Sequence, residues 1–302
     1  MYNAFISHAS QDSAIVSEVV RSLSANGVNL WFDDNAIQAG PLLRNQLHDA
    51  IRNSGTTVLF WSKDAFQSRW VMAEMFTSFH VDHSIIACVL DDTPLPVFLK
   101  NSTYLSLKRD QAQLADKVRR AIETAPKHAN EVIELPTSQV PEIMQLSDAI
   151  AQGQYAVLAT LEKDYAAAAK ANEHVNSAME TLKQLAPVDR LVLSLAGYQC
   201  KNNYIVKYWD SIQQWSFPED ELLMRGERYF FETLCANPKD ANAVNGLGSI
   251  LTYELELDAA EFFQRCAIEL MRLKGQDYEA ASHDLEMILE LKRQQTGYAG
   301  VN

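Results

Sequence analysis

The stretch that decides the fold reads TVLFWSKDAFQSRWVMAEMFTSF and covers residues 57–79. It begins with a short run of β-branched, aliphatic and aromatic residues, Thr57–Trp61. Such a run is typical of a strand that is buried on both faces of a parallel sheet. Apolar residues then recur with helical spacing from Trp70 to Phe79. The stretch therefore predicts a buried strand followed by a helix, which is the unit of open α/β sheets.

The same alternation of strand and helix extends over residues 1–126. The other strand-like runs are Ala4–Ile6, Val28–Phe32, Ile85–Leu90 and Tyr104–Leu107. The other helical patterns are Asp12–Asn26, Leu43–Ile51 and Leu114–Ile122. We therefore predict a doubly wound sheet of five parallel strands. In such sheets a ligand lies beyond the carboxyl ends of the strands.

The rest of the chain has a different pattern. Residues 126–141 read PKHANEVIELPTSQVP and contain three prolines, and we interpret residues 127–140 as a linker. Residues 141–295 lack strand signals and carry helical periodicity, interrupted by glycine and proline, and residues 296–302 form a tail. We expect a helical array in this second part.

One window of the array, residues 238–270, reads PKDANAVNGLGSILTYELELDAAEFFQRCAIEL. It resembles a tetratricopeptide repeat. The residues at positions typical of that repeat are Leu247, Gly248, Ala260 and Ala267. Val244 and Gln264 depart from the pattern, because the repeat usually has a tryptophan and another aromatic residue there. The resemblance implies a concave surface that binds a peptide or another copy of the array.

Length and composition fit two globular domains. The chain has 302 residues, 47% of them hydrophobic and 22% charged, which excludes a disordered chain. Its net charge is −13, which argues against binding to nucleic acid. Residues 1–126 hold 13 acidic and 11 basic side chains, whereas the remainder holds 26 and 15. The acid excess therefore belongs to the helical part and suits a basic protein partner.

The sequence gives no sign of a metal site, a disulfide framework or a membrane anchor. The four cysteines lie far apart without a Cys-x-x-Cys motif. His80 and His83 are one helical turn apart but have no evident third ligand. The first ten residues lack a signal-peptide pattern, and no stretch of about 18 apolar residues occurs. We expect a cytoplasmic protein that does not bind a membrane.

Four motifs, taken in order, resemble those of a TIR domain. They are FISHAS at residues 5–10, LWFDDNAIQAGPLLRNQLHDAI at 30–51, WSKDAFQSRWVMAEM at 61–75 and DDTPLP at 91–96. In that family the second motif carries the BB loop, and the third carries a Trp-x-x-x-Glu segment. The resemblance covers residues 1–126 and implies a flavodoxin-like fold.

The resemblance implies one of two functions. Some TIR domains are adaptors that signal by TIR–TIR contact, whereas others cleave the bond between nicotinamide and ribose in NAD⁺. The glutamate of the Trp-x-x-x-Glu segment is catalytic in the second group, and the matching residue here is Glu74. A fixed carboxylate stabilises the positive charge that develops on the ribose, and the nicotinamide leaves as a neutral base without a general acid. NAD⁺ would be a substrate, and no cofactor is expected.

Residues at the strand ends are the candidates for binding the substrate. They are Phe5, Ser7, His8, Trp31, Asp33, Ser62 and Trp70. For Phe5 a role in the core is an equal alternative, and one of Trp31 and Phe32 is expected in the core. Asp33 either forms a turn or contacts ribose or a neighbouring TIR domain.

We expect an enzyme that TIR self-association activates, as a homo-oligomer or a filament, and the resemblance implies two alternative sets of products. These are nicotinamide with ADP-ribose or a cyclic ADP-ribose isomer. The role implied is antiphage defence. The alternative is a non-enzymatic adaptor that binds proteins through both domains. A receiver-like domain fits poorly, since the first strand ends in Ser7-His8 without acidic residues.

Overall fold

The computed structural model describes residues 3–32, 49–100, 104–107, 113–125 and 140–298, with side chains of the last helix through residue 295. The chain divides into two compact units, Met1–Ile133 and Glu134–Asn302. The predicted linker, apart from Val140, lies outside the described residues. No helix of the described residues is long and apolar enough to span a membrane.

The first unit is built on a sheet of five parallel strands. These are β1 (Ala4–Ser7), β2 (Leu30–Trp31), β3 (Thr56–Trp61), β4 (Ser84–Val89) and β5 (Tyr104–Ser106). Their order is β2-β1-β3-β4-β5, and every neighbouring pair is parallel. This order is flavodoxin-like and confirms the predicted fold class. The chain reverses its direction of winding between β1 and β3, where such folds bind their ligands.

Helices cover both faces of this sheet. They are α1 (Ser13–Ala25), α2 (Lys63–Gln67), α3 (Arg69–His80) and α4 (Leu114–Thr124). Ala4 and Ile6 belong to the core that also contains apolar side chains of α1 and α4. Because side chains alternate along a strand, Phe5 and Ser7 point to the opposite face. The predicted helix over Leu43–Ile51 lies mostly outside the described residues, although residues 49–52 are helical.

The second unit is helical throughout its described residues. Its helices are α5 (Pro141–Leu161), α6 (Tyr165–Leu185), α7 (Arg190–Lys207), α8 (Trp209–Ile212), α9 (Glu221–Ala236), α10 (Ala241–Tyr253), α11 (Leu257–Arg272) and α12 (Glu279–Tyr298). The most extensive packing joins α5 with α6, α7 with α9 and α10 with α11. This pairing is consistent with a helical-repeat array.

The tetratricopeptide-like window forms the pair α10 and α11. Its Leu247, Ala260 and Ala267 have no exposed surface. A Cβ atom on Gly248 would lie 2.9 Å from the side chain of Gln264, so glycine allows the close approach of the two helices. The Gln264 amide nitrogen lies 3.2 Å from the Asn245 carbonyl oxygen and 3.3 Å from Asp284 Oδ2. A buried polar contact therefore occupies the position where the repeat has an aromatic ring, and the tetratricopeptide assignment stays a prediction.

Candidate active site

Glu74 is held at the end of the first strand by a side chain from β1. The Ser7 hydroxyl donates a hydrogen bond of 2.6 Å to Glu74 Oε2, across 67 residues of sequence. Ser7 is completely buried, whereas Glu74 is half-buried on α3. A length of 2.6 Å is typical of a hydroxyl that donates to an ionised carboxylate. A carboxylate held by a hydrogen bond thus lies at the carboxyl end of β1, where folds of this topology bind their ligands.

Helix α3 presents Glu74 because most of its other faces are buried. Ser68 caps its first turn by accepting the N–H of Val71. Met72, Met75 and Phe76 have no exposed surface and anchor the helix in the core. Trp70 lies one turn before Glu74 and is half-buried like it. Trp70 and Glu74 of the predicted Trp-x-x-x-Glu spacing therefore lie among the partly exposed residues of α3.

The turn between β3 and α2 is tied to two other segments. The Ser62 hydroxyl accepts the N–H of Ala65, which caps α2, and donates a hydrogen bond of 2.6 Å to Asp12 Oδ2. The Lys63 N–H donates to Asp91 Oδ2 at 2.9 Å. These bonds join the third and fourth motifs of the sequence to the segment before α1. Sequence reasoning missed Asp12 as a site residue, and its only signal was an acidic residue at the start of the predicted helix Asp12–Asn26.

The carboxylates at this turn influence one another. Burial raises the pKa of the Asp12 carboxyl above its ordinary value, and the hydrogen bond from Ser62 opposes that rise. The negative charges of Asp64 and Asp91 raise the pKa of Asp12 further. Three carboxylates, Asp12, Asp64 and Asp91, are therefore close enough at the carboxyl end of β3 to interact, although the total charge of residues 1–126 is nearly balanced.

The remaining candidates lie at different depths. Phe5 is completely buried and stacks on Trp31, with ring centroids 4.9 Å apart, which favours the core alternative for Phe5. His8 is half-buried; its ring lies 5.2 Å from that of Phe32, and its Nε2 is 3.2 Å from Ser13 Oγ. Asp33 lies outside the described residues. Contacts of these residues with a substrate stay predictions.

The described residues contain no group of three or more His, Cys, Asp or Glu side chains that is arranged to hold a metal ion. What the site offers is a fixed, partly exposed carboxylate beside an indole ring. A carboxylate in this setting can stabilise a cationic carbon or accept hydrogen bonds from sugar hydroxyls. The fold and this carboxylate define the class of the domain. It is a flavodoxin-like α/β domain whose candidate site lies at the carboxyl ends of β1 and β3.

The family follows from a comparison with known families. Residues 4–122 match the family described as "TIR domain", so the first unit of this protein is a TIR domain. This match confirms the resemblance seen in the four motifs. It covers the sheet, the helices around it and all described candidate residues.

Curated relatives match the same part of the chain. A "Probable 2′ cyclic ADP-D-ribose synthase TcpO" of Methanobrevibacter olleyae is 31% identical over 96 residues, which are 30% of this chain and 28% of the relative. The "2′ cyclic ADP-D-ribose synthase AbTIR" of Acinetobacter baumannii is 38% identical over 77 residues, 24% of this chain and 28% of the relative. The "NAD(+) hydrolase TcpC" of Escherichia coli is 27% identical over 134 residues, 43% of this chain and 41% of the relative. Each match thus spans less than half of the relative's length.

Proposed function

We propose that this protein cleaves the bond between nicotinamide and ribose in NAD⁺, with Glu74 as the catalytic residue. The observation that carries the proposal is the position of the Glu74 carboxylate. Ser7 holds it by a hydrogen bond at the carboxyl end of β1 in a TIR domain. The names of the three relatives support it, because each names NAD⁺ cleavage or a cyclic ADP-ribose product. NAD⁺ is the substrate, and the reaction requires no cofactor.

The chemistry follows from the charge of the substrate. When the bond between the anomeric carbon and the pyridinium nitrogen breaks, its electron pair neutralises the nicotinamide, which leaves without being protonated. The positive charge moves to the ribose as an oxocarbenium ion. The Glu74 carboxylate stabilises that charge most strongly at the transition state, which is the condition for catalysis. Trp70, on the same face of α3, forms a wall beside the ribose or the nicotinamide ring.

The fate of the oxocarbenium ion decides the product. Attack by water, followed by loss of a proton, gives ADP-ribose. Attack by a ribose hydroxyl of the same molecule, with loss of its proton, or by an adenine ring nitrogen gives a cyclic ADP-ribose isomer. The relatives include proteins named for each outcome. Both products belong to the proposal, and the identity of the attacking group distinguishes them.

We also propose that self-association of TIR domains activates the enzyme and that the helical array controls this step. Residues 127–302, which include the array, have a net charge of −11, and the array has an expected concave surface; both suit a basic protein partner or a second array. Antiphage defence is the role that we propose for the product. A reducing cytosol fits the four cysteines, which are thiols and not disulfides in the structure.

The test is NAD⁺ consumption by the purified full chain, free in solution and crowded on beads, beside Glu74→Ala. We expect turnover by the crowded wild type and none by Glu74→Ala. If neither form consumes NAD⁺ when crowded, the enzyme proposal is wrong and the adaptor function takes its place. Chromatography of the products separates ADP-ribose from its cyclic isomers.

A further inference from the structure

We infer that Ser7 is a positioning residue, which acts on the reaction by holding the Glu74 carboxylate rather than by touching the substrate. This inference rests on the proposed function and deepens it. It replaces the direct substrate contact that the sequence predicts for Ser7. Three observations carry it: the burial of Ser7, the direction of its hydrogen bond and its place on the sheet.

Burial separates Ser7 from the substrate. Ser7 has no exposed surface, whereas Glu74 is half-buried. A ligand at the edge of the sheet therefore reaches the carboxylate before it reaches the hydroxyl. The burial of Ser7 also excludes water from its side of the hydrogen bond, which strengthens the bond.

The hydroxyl of Ser7 is committed to the carboxylate. A serine has one hydroxyl proton, and the proton of Ser7 lies in the 2.6 Å bond to Glu74 Oε2. It cannot be donated to a ribose hydroxyl or a phosphate at the same time. A donor to a carboxylate favours the ionised form, which is the form that stabilises an oxocarbenium ion.

The place of Ser7 makes it a rigid support. Ser7 is the last residue of β1, which is bonded to β2 on one side and β3 on the other. The register pairs Ser7 with Leu59 of β3. Glu74, in contrast, lies on the neighbouring helix α3. Through the Ser7 hydroxyl the sheet thus supports the Glu74 carboxylate, which lowers the cost of ordering Glu74 in the transition state.

The test compares Ser7→Ala with Ser78→Ala in the full chain. Ser78 is the matched control, because it lies one turn after Glu74 on α3, has no exposed surface and bonds to Thr57 instead of the site. For Ser7→Ala we expect kcat for NAD⁺ to fall about ten- to a hundred-fold with KM nearly unchanged. The acid limb of the pH profile should move to higher pH. Ser78→Ala should retain the wild-type kcat and pH profile.

A second measurement does not depend on activity. Carbon-13 NMR of the Glu74 carboxyl, assigned with Glu74→Gln, follows its titration in the wild type and in Ser7→Ala. We expect the titration of Ser7→Ala to move to higher pH, because the substitution removes a hydrogen-bond donor that favours the ionised carboxylate. This shift remains measurable if the protein proves not to turn over NAD⁺, so the failure of the proposed function is distinguishable from the failure of this inference.

Any one of three results would overturn the inference. One is a Ser7→Ala protein whose KM rises while kcat stays at the wild-type value, which would return Ser7 to direct substrate binding. Another is an unchanged titration of the Glu74 carboxyl in Ser7→Ala. Equal losses of kcat in Ser7→Ala and Ser78→Ala would also overturn it, because they would show a general loosening of α3.

Discussion

Ser62 and Asp12, 50 residues apart in sequence, are joined by a hydrogen bond of 2.6 Å from the serine hydroxyl to Asp12 Oδ2. The same hydroxyl accepts the N–H of Ala65 at 3.0 Å and caps α2. One side chain at the end of β3 thus fixes both a helix start and the segment that leads into α1. This arrangement gives Ser62 a structural role in addition to its predicted contact with the substrate.

Removal of this hydroxyl should weaken the first unit. For Ser62→Ala we expect the free energy of unfolding to fall by about 1–2 kcal/mol, because a helix cap is lost and a partner of a half-buried carboxylate is removed. Urea unfolding of the first unit, followed by amide exchange, measures the change. Ser10→Ala is the control, because Ser10 is exposed and its hydroxyl donates to the side chain of its neighbour Gln11. A Ser62→Ala protein of wild-type stability with a raised KM for NAD⁺ would assign Ser62 to the substrate instead.

Asp12 should destabilise the first unit when it is ionised. Its pKa is raised in the fold, so the folded state binds its proton more tightly than the unfolded state does. The contribution of Asp12 to the free energy of unfolding is therefore fully present below pH 3.8, the ordinary pKa of the carboxyl. It is lost as the pH rises from there through the higher pKa of the folded state. Asn keeps an acceptor for the Ser62 hydroxyl without the charge. We expect Asp12→Asn to raise the melting temperature at pH 7 and to have little effect near pH 3; equal effects at both pH values would contradict this cause.

His83 should make the first unit sensitive to acid. His83 is 8% exposed, and its Nδ1 lies 3.3 Å from Thr57 Oγ1. Burial lowers the pKa of His83 below 6.5, although the negative charge of Asp82 opposes this shift. As the pH falls below 6.5, His83 binds a proton more readily in the unfolded state than in the folded state. The free energy of unfolding therefore decreases as the pH decreases. We expect His83→Gln to reduce this loss between pH 7 and pH 5 in thermal unfolding. The control, exposed His174→Gln, should retain the loss, and an unchanged slope in His83→Gln would refute the cause.

Close packing of helices in the second unit depends on Gly246. A Cβ atom added there would lie 2.2 Å from Phe230 Cζ. Alanine normally stabilises a helix relative to glycine by about 1 kcal/mol, but here the overlap should reverse the sign and cost about 1–3 kcal/mol. Urea unfolding of Gly246→Ala, Phe230→Leu and the double variant measures their coupling. We expect Phe230→Leu to recover part of the loss; strictly additive effects would show that the ring is not the obstacle.

The sequence was sufficient for the fold because its signals are local. Thr57–Trp61 is a buried run, and it forms the central strand β3 with no exposed Val58, Leu59, Phe60 or Trp61. The helix predicted from Trp70 to Phe79 is α3 and begins one residue earlier. Both depend on composition and periodicity within a few residues, which sequence reasoning reads well.

The candidate site was only partly predictable because its contacts are long-range. The Trp-x-x-x-Glu spacing placed Trp70 and Glu74 on one face from the sequence, since that relation lies within one helical turn. The bond between Ser7 and Glu74 depends on how α3 packs against β1, and the bond between Ser62 and Asp12 depends on how β3 approaches α1. No sequence periodicity encodes these distances. For the same reason the sequence could not decide whether Phe5 lies in the core or contacts the substrate.

The most direct test of Glu74 is an isosteric change. Glu74→Gln keeps the shape and an oxygen that accepts the Ser7 hydroxyl, but it removes the negative charge on which the proposed stabilisation depends. The measurement is nicotinamide released from NAD⁺ by the crowded full chain, with thermal unfolding as the check that both proteins are folded. We predict that Glu74→Gln loses roughly 100-fold or more of the wild-type rate. Release of nicotinamide by folded Glu74→Gln at the wild-type rate would contradict the account.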